Sequence, residues 1–397
     1  MVAKTIYAIL LIFVLLVVIV PLLLNFLGIP VGPGGGGLGS SGGGGGTGGI
    51  TGAVLVRSSD GGQHWAAAEF SREGRSALPS GILDVAFHPV NADVVFAGTA
   101  SSGLWRSDDA GAVWKKIDDA GRVLETGADV YKVAISATRP DVMYLAVAQG
   151  NRGRVLRSED GGASFREIYA VTRDGWAVFD IYTPPGAPDT VMIATGEGRL
   201  MVSSDGGARW RIAHSVAQPI TSLPVNPVFS GERYLITSLG VMAKSFDGGD
   251  TWTELGAPSD TGGGGGDGSS DGRIVHPFST WQFTFSSAAP SFTFAIDPRN
   301  PLTLYFTRAD TLFTSSDGGF SWRRVTTLIT AQGMSLGGVG ADPAHEGTIF
   351  ITAGGDFYQS ADRGASWSTT AVASGISLKK IFSHPRRPGI IFITTAR

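Results

Sequence analysis

Seven copies of an eight-residue box, the even spacing of those copies, and the strand–turn–strand stretches between them predict the fold class. The expectation is an all-β, seven-bladed β-propeller of four-stranded antiparallel blades, preceded by one N-terminal transmembrane helix. The box reads SxDxGxxW. It occurs at Ser58/Asp60/Gly62/Trp65, Ser107/Asp109/Gly111/Trp114, Ser158/Asp160/Gly162/Phe165 and Ser203/Asp205/Gly207/Trp210. It returns at Ser245/Asp247/Gly249/Trp252, Ser315/Asp317/Gly319/Trp322 and Ser360/Asp362/Gly364/Trp367. Successive aspartates are 49, 51, 45, 42, 70 and 45 residues apart, the period of a four-stranded blade with one long insertion. "ILDVAFHPVNADVVFAGT" and "SFTFAIDPRNPLTLYFT" each read as an apolar strand, a proline-containing turn and a second apolar strand. "GLWRS" enters a box as a third strand, and "WKKI" leaves it as a fourth.

The elements follow in order. Residues 1–5 make a short cytoplasmic tail, and 6–28, "IYAILLIFVLLVVIVPLLLNFLG", contain no charge. As a helix this stretch spans roughly 34 Å, enough for a hydrocarbon core of about 30 Å. A cleaved signal peptide ending near Pro21 is the alternative, but no A-x-A site follows, so an uncleaved signal anchor is the reading taken. Lys4 precedes the span and the next positive residue is Arg57, which places the amino terminus in the cytoplasm and the rest of the chain on the extracytoplasmic side of the cell membrane. Residues 29–52, glycine-rich throughout, read as a flexible linker of about 25 Å root-mean-square span. Residues 53–397 form the propeller.

Composition narrows the function classes. The 58 glycines, nine tryptophans and 16% charged residues suit a turn-rich β protein with a large core. A net charge of −3 gives no basic field, so no nucleic-acid partner is expected. There is no cysteine, which excludes disulfides, thiolate chemistry and sulfur-ligated zinc. The six histidines are dispersed, with His88 and His384 at the same turn position of different repeats, so neither a metal nor another cofactor is expected. Gly39–Gly43 and Gly333–Gly337 match GxSxG without the strand and helix that motif requires. The stretch Gly262–Gly272 is too irregular for a calcium repeat.

The box suits a tight hairpin between third and fourth strands. Its aspartate accepts turn N–H groups, its glycine supplies positive φ, and its aromatic returns to the core. Asp60, Asp109, Asp160, Asp205, Asp247, Asp317 and Asp362 are therefore read as structural. Before the first box stands one strand, "GAVLVRSS", and after the last stand two without a box, "ISLKKIFSHPRRPGIIFITT". Pairing these partial units into one shared blade closes the ring and removes its edges. The pattern resembles the Asp-box, or BNR, repeat of sialidases, xyloglucanases, sortilin-type receptors and photosystem II assembly and stability factors. That resemblance covers roughly residues 53–397. It implies a propeller whose boxes lie away from the ligand side, and it leaves activity open, since enzymes, receptors and assembly factors share the repeat.

If first-to-second and third-to-fourth turns share one rim, the second-to-third turns and inter-blade connections share the other, where the insertions gather. That rim carries the candidate binding residues Arg152, Arg154, Arg173, Trp176, Glu197, Arg199, Trp281 and Arg308, with Phe278 and His276 beside Trp281. Arginines and aromatics suit an acidic or aromatic partner surface, and the plain alternative is soluble loops with an ordinary share of arginine. Phe283 and Phe285 alternate with polar residues as inward-packing side chains do. A sialidase-like site would need an arginine triad and a glutamate-activated tyrosine. The family's arginine-isoleucine-proline motif is absent, and Arg199, Arg308 and Tyr131 do not replace it. A xyloglucanase-like site would need two carboxylates across a cleft. Repeat alignment puts Asp84, Lys132, Phe179, Ser222, Thr293, Gly338 and Lys380 at matching innermost positions, only one of them acidic, with Asp180 and Glu197 left to approach from elsewhere. The expected function is a non-catalytic binding or assembly scaffold for an envelope protein or polysaccharide, similar in plan to the photosystem II assembly factors. The alternative is a cell-surface glycoside hydrolase.

Overall fold

Each box hairpin is tied back to its own sheet, and these ties define one rim of a ring. The structure, a computed structural model, describes residues 50, 52–229, 231–256, 292–326 and 334–396, all within one unit, Gly46–Arg397. The expected helix at 6–28, most of the linker, and Trp281, Phe278, His276, Phe283 and Phe285 lie outside the described residues. Among the described residues no helix is long and apolar enough to cross a membrane.

Seven sheets form a β-propeller. Blade one is Ile82–Phe87, Val95–Thr99, Leu104–Ser107 and Val113–Lys116, and blade two is Asp129–Ile135, Met143–Gln149, Arg152–Ser158 and Arg166–Ala170. Blade three is Val178–Tyr182, Val191–Thr195, Arg199–Ser203 and Arg211–Ser215, and blade four is Ile220–Ser222, Arg233–Thr237, Met242–Ser245 and Thr253–Gly256. Blade five is Phe292–Ile296, Leu304–Arg308, Thr311–Ser315 and Arg323–Arg324, and blade six is Leu336–Ala341, Ile349–Ala353, Asp356–Ser360 and Ser368–Ala371. The first strand of each is innermost. Second strands such as Met143–Gln149 are buried along their whole length, because neighbouring blades cover both faces.

Blade seven joins the two ends of the chain. Its strands run Ala66–Ala67, Leu55–Ser58, Ile391–Ala396, Ser377–Ser383, with Leu55 opposite Thr394 and Ser58 opposite Ile391. The shared closing blade is as the partial repeats predict. Blade one departs from the four-strand expectation. Glu69–Arg72 leaves blade seven's box and pairs parallel with Val113–Lys116, then turns back through Arg75–Ser76, giving a six-stranded sheet. Phe70 fills this added layer, stacking 5.7 Å from Trp114.

The box is the same in all seven copies. In blade two, Ser158 Oγ donates to Asp160 Oδ1 at 2.7 Å and accepts from Gly162 N at 2.9 Å, while Asp160 Oδ1 also accepts from Ser164 N at 2.9 Å. Gly162 has φ +94°, a conformation that favours glycine. Hydrogen bonds from Ser164 and Ser158 pull the Asp160 carboxyl down to about 2, and those from Ser366 and Ser360 do the same for Asp362. The aromatics pack between blades: Trp65 meets Phe357 of blade six at 5.1 Å, and Trp210 meets Tyr169 of blade two at 5.2 Å. Each hairpin also donates to the first-to-second turn of its blade, as in Gly161 N to Asp141 O at 2.9 Å and Gly206 N to Asp189 O at 2.7 Å. Boxes and first-to-second turns thus share one rim.

Candidate functional site

The opposite rim is built where second-to-third turns touch the inter-blade connections. At blades two and three the chain is drawn tight: Gly153 N donates to Trp176 O at 2.8 Å, Gly175 N to Asn151 O at 2.8 Å, and Gly196 N to Ala177 O at 2.8 Å. A Cβ on Gly153 would stand 2.7 Å from Trp176 O and from Ala177 Cα, so only glycine admits this crossing. Gly196 in turn lies under the Trp176 indole, where a Cβ would come within 2.9 Å of the ring. The ring is held half-buried against the blade two and three core.

On this rim three arginines are oriented by carboxylates. Arg152 Nε lies 3.0 Å from Asp174 Oδ1, Arg154 Nη1 pairs with Glu167, and Arg199 Nη1 lies 3.1 Å from Glu197 Oε2. Glu197 is itself fixed by Thr172, whose N–H donates to Oε1 at 3.1 Å and whose hydroxyl donates to the same oxygen. Arg173 is exposed beside them. Arg152, Arg154, Arg173, Trp176, Glu197 and Arg199 thus lie on two adjacent blades and the connection between them, with Arg152 and Arg154 on the opposite face of their strand from Gly153. Arg308 stands apart and exposed at the end of its blade five strand, and Trp281 lies outside the described residues. Tyr169, near Glu197 and Arg199, has its phenol pushed up to about 12 by burial and by the Glu197 charge. Tyr131 is pushed up to about 12 by burial and by Asp129. Both stay protonated, the opposite of a tyrosine made nucleophilic.

A second polar cluster lines the centre of the ring. Lys132 Nζ of blade two lies 3.6 Å from Asp84 Oδ1 of blade one and 3.6 Å from Asp180 Oδ1 of blade three. The other oxygens reach onward around the ring: Asp84 Oδ2 accepts from Val133 N at 3.0 Å, and Asp180 Oδ2 from Leu223 N of blade four at 2.8 Å. The charges of Asp180 and Asp84 hold the Lys132 ammonium above the ordinary lysine range. Lys380 of blade seven donates to Leu83 O at 2.8 Å, and burial lowers its pKa. Solvent reaches a third of the Lys132 side chain.

Asp180, not Phe179, is the innermost residue of blade three. It pairs with Ala194 as Asp84 pairs with Gly98, and a bulge skips Phe179 as another skips Leu83. The innermost positions therefore hold two carboxylates. "VFDIY" laid under "ILDVA" carries this signal in the sequence.

No protein-family model matches the sequence, and no curated protein matches it. Solved structures do match the fold. The GH74 xyloglucanase from Xanthomonas campestris superposes with a TM-score of 0.59 at 16% identity, over 80% of this chain and 51% of that one. YCF48 from Cyanidioschyzon merolae gives 0.57 at 17%, over 80% and 97%, and YCF48 bound to D1 peptide gives 0.57 at 15%, over 87% and 97%. This chain thus spans about half the length of the xyloglucanase. At these identities the likeness concerns the fold, a propeller that a xyloglucanase and YCF48 both use.

Proposed function

We propose that the chain is a membrane-anchored, extracytoplasmic Asp-box propeller that acts as a non-catalytic binding or assembly scaffold. Its working surface is the rim at blades two and three, and its partner is an envelope protein or polysaccharide presenting an acidic or aromatic surface. The observation that carries this reading is that Arg152, Arg154 and Arg199 on this rim are each held by their own carboxylate, with Trp176 half-buried in the connection between the two blades. A group already oriented loses little freedom on binding, and arginine and tryptophan are common anchor residues of interfaces. A ring of the same fold, YCF48, has been solved with a D1 peptide, which supports a peptide-binding use of the fold. The test is capture of envelope components by the full chain. A specific partner lost in Arg152→Ala/Arg199→Ala, with the circular dichroism spectrum unchanged, supports the scaffold; equal capture by both forms removes it.

A surface glycoside hydrolase is the second reading, favoured by the facing carboxylates of Asp84 and Asp180 in a fold shared with xyloglucanases. Against it, an ammonium sits between the two oxygens that would have to protonate a leaving group and attack or activate water. Hydrolysis of xyloglucan or of a fluorogenic glycoside panel, abolished by Asp180→Asn, would replace the scaffold reading.

A further inference from the structure

The box rim is not uniformly polar. Nine large apolar side chains stand exposed among the described residues, and five of them, Val228, Phe229, Phe246, Leu302 and Phe320, belong to the box-rim turns of blades four and five. Phe246 and Phe320 sit within the two boxes, with rings stacked 6.4 Å apart at 12°. Lys244 lies beneath them, its Nζ 4.7 and 5.8 Å from the ring centroids and 3.1 Å from Glu232 Oε2. Covering this ammonium accounts for the inner face of each ring. The outer faces meet water, with each ring about half exposed. The remaining three are joined to them through the turns: Glu232 N donates to Phe229 O at 2.9 Å, Gly248 N to Gly231 O at 2.9 Å, and Gly318 N to Leu302 O at 2.8 Å. An exposed apolar cluster of this kind is a site of association.

Charge selects the occupant. Lys244 is neutralised by Glu232, Asp250 is paired with Arg211 at 3.2 Å, and Arg299 is directed at Ala344 O of blade six. Arg233 donates to Gly248 O but is turned toward blade three, over the Tyr182 ring, where it faces Asp247 from the side away from blade five; among the described residues the box carboxylates Asp247 and Asp317 stand beside the rings, while Arg323 and Arg324 belong to the outermost strand of blade five. Hydrogen bonds from Thr251 and Ser245 keep Asp247 below the usual carboxylate range, so its charge persists. Two copies meeting through this face would bring like charges together, and an anionic bilayer would be repelled.

We propose that this patch docks a segment of another protein in which apolar and basic side chains alternate, the apolar ones on the phenylalanines and the cations beside Asp247 and Asp317. The site is independent of the rim at blades two and three. The experiment measures fluorescence anisotropy of a short labelled peptide alternating leucine and lysine, with the full chain in phosphatidylcholine nanodiscs and empty nanodiscs as the blank. Binding should weaken with salt and fall roughly tenfold or more in Phe246→Ser/Phe320→Ser, as for the loss of two anchoring side chains. Phe229→Ser/Leu302→Ser, which leaves the cover over Lys244 in place, should show the same loss with an unchanged melting temperature. Unchanged affinity in both variants, or equal binding of a leucine–glutamate peptide, overturns the proposal. So does sedimentation showing a dimer, or flotation with phosphatidylglycerol vesicles, that either variant abolishes, since the occupant would then be a second copy or a bilayer.

Discussion

Replacing Lys132 with methionine removes the cation that joins blades one, two and three at the ring's centre. Each of its two contacts is 3.6 Å long, worth about 4–5 kcal/mol of gross attraction at an effective dielectric near 20. Repulsion between the carboxylates and the cost of desolvating three ions offset much of this. Breaking a buried ion pair by removing one partner costs about 3–5 kcal/mol. The lower end applies here, because solvent reaches a third of the side chain and because each aspartate keeps a backbone donor, Val133 N or Leu223 N. A loss of about 3 kcal/mol lowers the melting temperature of a ring this size by roughly 4 °C. Differential scanning calorimetry of the full chain at neutral pH reads it. The triple variant Asp84→Asn/Asp180→Asn/Lys132→Met should recover most of the loss, since no uncompensated charge remains. Because the folded pKa of Lys132 is raised, its contribution is fully present below the ordinary lysine value and is lost only as pH climbs through the higher folded value. A Lys132→Met protein melting within about 1 °C of wild type, or a triple variant no better than the single, would refute the bridging role.

The remaining expectations are more compact. The carboxyls of Asp160 and Asp362 sit at about 2 when folded against an ordinary 3.8. Their folded pKa is depressed, so stability is intact above pH about 4 and declines as pH falls from there toward 2; melting curves across that window should show the decline, less steeply in Asp160→Asn, and a flat profile would contradict it. Gly153→Ala forces a Cβ to within 2.7 Å of Trp176 O and Ala177 Cα, and overpacking of this kind costs about 1–3 kcal/mol with a shift in tryptophan fluorescence as the rim opens. Val56→Asp puts an unpaired carboxylate in the fully buried core of the closing blade and should unfold the ring at lower urea by several kcal/mol. Arg152→Ala, by contrast, removes only an exposed ion pair and should change stability by about 1 kcal/mol or less in the same titration, whereas Arg199→Ala leaves the buried Glu197 carboxylate without its cation and should cost more.

Blade count and ring closure were legible because they rest on residues whose chemistry repeats. Ser158, Asp160 and Gly162 make the same three bonds as Ser360, Asp362 and Gly364, and the orphan strands at the two ends have only one way to avoid exposed edges. The innermost register was harder. A bulge at Phe179 shifts which side chain faces the centre by one residue, and counting by twos across a bulge selects the wrong face. Phe179 was therefore aligned with Asp84 where Asp180 belongs, and the Lys132 bridge stayed hidden. The parallel strand Glu69–Arg72 was invisible for another reason. Its partner, Val113–Lys116, lies beyond four intervening strands, and the short "EFSR" carries no turn signal that fixes its neighbour. On the rim opposite the boxes, residue types mark Arg152, Arg154 and Arg199 individually. That Asp174, Glu167 and Glu197 hold them depends on how strands and connections meet there, as at the Gly153 crossing, which spacing alone does not reveal.

Two positions at blade three test whether a partner meets the proposed rim or the box rim there. A photo-crosslinking amino acid placed at Arg173 lies beside Trp176 on the insertion side, and one placed at Ala208 lies in an exposed position of the blade three box. Illuminated in the cell, the full chain should form a discrete adduct from position 173 and none from position 208. An adduct from 208 with none from 173 would mean that the box side is the one that works.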